Sequence, residues 1–152
     1  MKKHKAIYES ELMENLVNEF NDIEELRFLS IITHMYVEYF LNEIICNKIS
    51  KPELIIDNKG LGGFYNKFTL LKSLGFFEGK EKLEKNVERI NMIRNFYAHN
   101  MLIEQKIPPK IETKINEMVY LEESNTFHED ISKIDLTSKF KVKCISTIVL
   151  LS

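Results

Sequence analysis

Residues from about Ile23 to Ile49 read as one long helix that is apolar on nearly every side. On a helical wheel, Phe28, Ile32, Met35, Tyr36, Tyr39, Phe40 and Ile44 point in many directions. A helix of that kind belongs at the centre of a protein, and the remaining elements must pack around it. One narrow stripe of it is different: Arg27, Ile31, His34, Glu38, Leu41 and Ile45 recur every three or four residues. Polar groups inside a buried helix need partners, so this stripe predicts a polar contact with a second helix. His34 is expected to hold a hydrogen-bonded place in the core.

The rest of the chain supplies further helices. Only five glycines and three prolines occur in 152 residues, and 29% are charged with both signs mixed, a balance that favours helix over sheet. A first helix is expected from about Ser10 to Asn21, capped by Ser10, with Leu12, Leu16 and Phe20 as its buried stripe. Pro52 closes the long second helix, and a turn-rich loop runs from Asp57 to Gly63. The third helix spans about Phe64 to Leu74 and stops at Gly75. The fourth spans about Lys80 to Ala98, with a stripe at Leu83, Val87, Ile90, Ile93 and Tyr97. Pro108 and Pro109 open a fifth that reaches about Glu122. Residues 123–136 read as a loop. From about Thr137, KFKVKC alternates like a strand, but a lone strand in a helical protein has no partner, so a helix is expected there. The chain is therefore expected to form one domain over residues 1–152, an all-α antiparallel bundle of five to six helices.

Several function classes are disfavoured. A net charge of −2 gives no global positive field, although Lys2, Lys3, Lys5, Lys67, Lys106 and Lys110 could form a local basic patch. Cys46 and Cys144 sit among apolar residues and read as buried reduced thiols. Neither zinc spacing nor any other metal-ligand set is visible, and no cofactor is expected. The opening MKKHKAIYESEL lacks the apolar segment of a signal peptide, and CISTIVLLS is too short to span a membrane. A cytoplasmic protein with no membrane partner is expected.

The stretch INMIRNFYAHN, residues 90–100, carries the chemistry. Arg94 lies about 40° from the apolar stripe at 100° per residue. Asn91, Asn95 and His99 form a neighbouring polar stripe, while Met92 and Phe96 leave a second apolar side that a homodimer interface would cover. Arg94 and His99 stand about 140° apart, so one helix alone would not aim both at one target. Two antiparallel copies would bring both pairs into one cleft. A forked guanidinium can neutralise a phosphoryl transition state. An imidazole can move protons near neutral pH. Cleavage of RNA at a ribose 2′-hydroxyl is thus within reach, with Asn95 orienting the phosphate or the imidazole. The plainer alternative pairs Arg94 with Glu38 and leaves His99 at the helix end to meet its dipole. Tyr97 fits the core stripe, with a hydroxyl near enough to the cleft to touch substrate.

RNFYAH resembles the arginine–x4–histidine signature of HEPN domains. THMYVEYFLNEII resembles that superfamily's long second helix with its embedded glutamate. GGFYNKFTLLKSLGFF followed by VERINMIRNFYAH resembles the branch related to mannitol-operon repressors, and the likeness covers roughly residues 24–102. The resemblance implies a helical bundle dimerised through the motif helices and, in many members, a metal-independent endoribonuclease acting as a toxin or antiphage effector. It would make Arg94 and His99 catalytic and Asn95 and Glu38 supporting, with Lys67 a phosphate or structural contact. The implied partners are RNA, a second copy of the chain and a cognate antitoxin or regulatory protein. The alternative is a noncatalytic dimeric adaptor or repressor-like regulator.

Overall fold

The computed structural model describes residues 2–100, 106–119 and 134–152, and of the first nine residues only the Tyr8 side chain. Seven helices occur among them: α1 Lys2–Asn21, α2 Leu26–Lys48, α3 Glu53–Ile56, α4 Phe64–Ser73, α5 Glu81–His99, α6 Pro109–Glu117 and α7 Leu136–Leu151. No strand appears among the described residues, and the helices pack in an antiparallel manner. The all-α expectation therefore holds, with more helices than the five to six expected. The extra element is the single turn α3, which follows Pro52. The helix expected from Thr137 is α7, but most of the loop expected at 123–136 lies outside the described residues. The last part of the expected fifth helix, beyond residue 119, also lies outside them.

Helix ends follow local chemistry. The chain continues as helix back from Ser10 to Lys2, because nothing in KKHKAIYES breaks it, so Ser10 is internal rather than a cap. Asp135 caps α7 by accepting from Ser138 N at 3.0 Å, and these Ser138 contacts hold its carboxyl below the usual carboxylate range. Pro109 opens α6, where its missing N–H costs nothing. At the end of α4, Gly75 adopts φ 73°, Phe76 N donates to Leu71 O and Gly75 N to Lys72 O, both at 3.0 Å. That is a Schellman closure, which a left-handed glycine permits.

α2 packs against α4, α5 and α7, while α7 also meets α1, α5 and α6. The expected stripes of α1 and α5 are buried at Leu16, Phe20, Leu83, Val87, Ile90, Ile93 and Tyr97. Asn86 ties three helical segments together: it donates to Val119 O at 2.7 Å and Thr147 Oγ1 at 3.0 Å, and accepts from Val119 N at 2.8 Å.

Two expectations are corrected. α2 is central but not enclosed, because Phe28, Ile31, Met35 and Tyr39 are exposed along one stripe. The enclosed helix is α7, in which every residue from Val142 to Val149 is buried. Even Lys143 lies inside, donating to Ile115 O at 2.8 Å; burial, assisted by Lys139, lowers its pKa. Of the two cysteines, Cys144 is buried and its thiol pKa is raised by desolvation, whereas Cys46 is exposed. Its apolar sequence neighbours lie on the other side of α2.

Candidate functional site

The motif residues sit where α2 and α5 pack together. His34 of α2 is buried, and its Nε2 lies 3.2 Å from Asn91 Oδ1 on α5. An amide oxygen only accepts, so Nε2 carries the proton and donates. The same oxygen accepts from Asn95 Nδ2 at 3.5 Å, and Asn95 Oδ1 accepts from Arg94 Nη1 at 3.0 Å. Four side chains therefore form one hydrogen-bonded chain from α2 to the motif arginine. The polar contact expected of the α2 stripe is present, and His34 has the hydrogen-bonded core place expected of it. Phe64 of α4 covers the His34 ring, with centroids 4.5 Å apart.

Glu38 does not meet Arg94, as the sequence suggested, but Lys67 of α4. Lys67 Nζ donates to Glu38 Oε1 at 3.0 Å, and Glu38 Oε2 lies 4.0 Å from His34 Nδ1. The physical reason is burial. Lys67 is only 4% exposed and needs a counter-ion more than the half-buried guanidinium does. This removes Lys67 from solvent and gives it a structural place rather than a free phosphate contact. The pair should respond asymmetrically to substitution. Glu38→Ala strands a buried ammonium and should cost about 3 kcal/mol, the low end of the range for breaking a buried pair. Lys67→Met keeps the apolar stem and leaves a partly solvated carboxylate, so its effect should stay within about 1 kcal/mol. Chemical denaturation of both variants checks this; equal losses would contradict it.

The pKa of His34 is lowered, first by burial and then by the Arg94 charge, with a smaller push from Lys67; Asn91 and Glu38 oppose them. Its folded value therefore lies below the unfolded one, about 6.5. As pH falls below about 6.5 the unfolded chain takes up the proton first, so stability is lost on acidification. Melting temperatures at pH 7.5 and 5.5 should diverge more for the wild type than for His34→Gln. The other histidines are common to both proteins, so their contribution cancels.

His99 is the last residue of α5 and is exposed. The helix stays regular to that point, and no hydrogen bond joins His99 to Arg94, so their separation around the axis persists. Asn100 rather than His99 closes the helix, donating to Phe96 O at 2.7 Å. Tyr97 is buried, which raises its pKa, while the Arg27 charge opposes the shift. Arg27 is thus within electrostatic reach of the Tyr97 hydroxyl. Lys110 Nζ sits 6.0 Å from the Phe96 ring centroid. Lys110 of α6 thus lies near the last turns of α5, and Arg27 of α2, itself paired with Glu25 at 3.3 Å, reaches the same region with its charge. Sequence reasoning missed this grouping because the residues are distant along the chain. Lys106 and Lys110 are exposed, while the Lys2, Lys3 and Lys5 side chains lie outside the described residues.

Met92 is exposed on α5, as the wheel suggested, whereas Phe96 is half-buried against the core. Among the described residues no carboxylate pairs with Arg94, whose hydrogen bond goes to an amide. Among them, no group of three or more His, Cys, Asp or Glu is placed to hold a metal ion, and no helix is long and apolar enough to cross a membrane. Comparison with family models, curated proteins and solved structures finds no match to this chain.

Proposed function

We propose that this chain is a HEPN-type endoribonuclease that works as a homodimer and cleaves RNA by attack of the ribose 2′-hydroxyl. The observation that carries the reading is the state of Arg94: a half-buried guanidinium held in place by an amide, with no carboxylate neutralising it among the described residues. An arginine so held keeps its charge and its remaining donors for a phosphate. Lys110 near the same helix end adds to the attraction for an anion. Phe28 and Ile31 on α2 and Met92 on α5 are exposed and supply apolar surface for a second copy.

In the dimer, one protomer's Arg94 and the partner's His99 would share a cleft. A neutral His99 accepts the 2′-hydroxyl proton as that oxygen attacks phosphorus. The second His99, protonated, delivers a proton to the departing 5′-oxygen. Arg94 balances the charge that builds on the phosphoryl oxygens, and Asn95 fixes its direction. Products carry 2′,3′-cyclic phosphate and 5′-hydroxyl ends. RNA whose 2′-hydroxyl at the cleavage position is replaced by hydrogen should resist. Cleavage of that substrate, or a monomer in sedimentation at high micromolar concentration, would defeat the reading.

The competing reading is a noncatalytic dimeric adaptor or repressor-like regulator. The exposed Phe28, Ile31 and Met92 serve it equally well, and intact RNA after incubation with the dimer would select it.

A further inference from the structure

A second feature lies between α1 and α2, apart from the residues used above for RNA chemistry. There an open groove of about 470 Å³ is lined by Tyr8, Met35, Tyr36, Tyr39 and Phe40, among others, with Glu19 as its one acidic group among the described residues. That size falls within the roughly 300–1,000 Å³ of small-molecule sites. Among the described residues no lysine or arginine lines it.

The rings are fixed in place. Tyr36 meets Phe20 of the core edge-on at 6.3 Å between centroids, and Tyr39 meets Phe40 edge-on at 5.2 Å. The Tyr36 hydroxyl donates to Glu19 Oε2, which fixes the carboxylate beside the rings. That bond, more than burial, pushes the Tyr36 pKa up to about 12, so the phenol stays neutral and the carboxylate carries the charge.

We propose that this groove binds a small organic cation, an alkylated ammonium with an apolar arm. Aromatic faces attract a poorly hydrated cation through their quadrupoles, and Glu19 supplies the counter-charge. Among the described residues an anion would meet a carboxylate and no cation. An apolar side chain, including one from a second copy of the chain, would desolvate Glu19 with nothing in return. A cation compensates that loss and still buries its arm against Met35 and the rings. The assignment does not depend on the ribonuclease reading.

The test uses benzyltrimethylammonium as probe, with benzyl alcohol and phenylacetate as neutral and anionic controls. Binding is read by calorimetry and by the methyl resonances of labelled methionines. The cation should bind with at least about fivefold preference over benzyl alcohol and should move the Met35 methyl but not that of Met92 on α5. Glu19→Gln keeps an acceptor for Tyr36 and removes the charge; it should weaken binding about fivefold. Tyr39→Leu removes one exposed ring and should weaken it about three- to fivefold. Both positions are exposed, so each variant is expected to fold, which its melting curve verifies. Equal binding of benzyl alcohol, an unmoved Met35 methyl or unchanged affinity in Glu19→Gln would each overturn the assignment. An unmoved Met35 would also be the result if a second copy of the chain filled the groove.

Discussion

Replacing His99 with alanine should reduce RNA cleavage by about 10²–10⁴-fold, the usual contribution of a general acid–base, and leave the melting temperature unchanged. The second half follows from its place: His99 is exposed at the end of α5 and caps nothing, since Asn100 closes the helix. Loss of activity and retention of fold are therefore separable here, as they would not be at a core histidine such as His34. Arg94→Lys should be severely impaired too, because an ammonium cannot reproduce the two-pronged contact with phosphate. It would also lose the geometry that now fixes Nη1 on Asn95. Because the proposed steps use side chains alone, cleavage should persist in EDTA. A gel assay on mixed cellular RNA, with wild type and both variants at matched concentration, measures all three. Undiminished cleavage by His99→Ala would remove it from the mechanism.

The largest loss of stability should follow Phe140→Ala, about 3–5 kcal/mol, or roughly 10–15 °C in melting temperature for a chain of this size. Phe140 is fully buried near the start of α7, the enclosed helix of the core. A cavity there cannot collapse cheaply. Tyr39→Ala, an equally aromatic deletion on the exposed stripe, should stay within about 0.5 kcal/mol. Thermal and chemical denaturation of the two variants make the comparison. A small effect at Phe140 would mean that α7 is a loose appendage rather than the middle of the core.

How far the fold could be read from sequence depended on whether each helix is buried on one side. α5 shows its period plainly because Leu83, Val87, Ile90, Ile93 and Tyr97 face the core and the opposite residues face water. α7 shows none, since residues 142–149 are buried all round; KFKVKC looks like alternation because Lys143 hides its charge on a carbonyl oxygen. α2 misled in the opposite direction. Its apolar character on every side cannot distinguish a core face from an exposed face, and Phe28, Met35 and Tyr39 turn out to be the latter. At the candidate site, Asn91, Arg94 and Asn95 were legible because a helix fixes their spacing. The partner of Glu38 was not. Lys67 comes from another helix, and only three-dimensional packing shows which cation is the more deeply buried. The nearness of Lys110 to the last turns of α5 and the aromatic groove depend on packing between helices in the same way.

The position of α7 also governs when the core of this bundle can close during synthesis. α1, α2, α5 and α6 all rest on it, yet each is translated earlier. At roughly 5–20 residues per second, those helices wait with their inner faces unfilled until residues 136–151 have cleared the ribosome. Until then the nascent chain exposes apolar surface, which makes it a substrate for chaperones that hold emerging chains. Docking of α7, rather than gradual compaction, is then the step at which the tertiary structure closes.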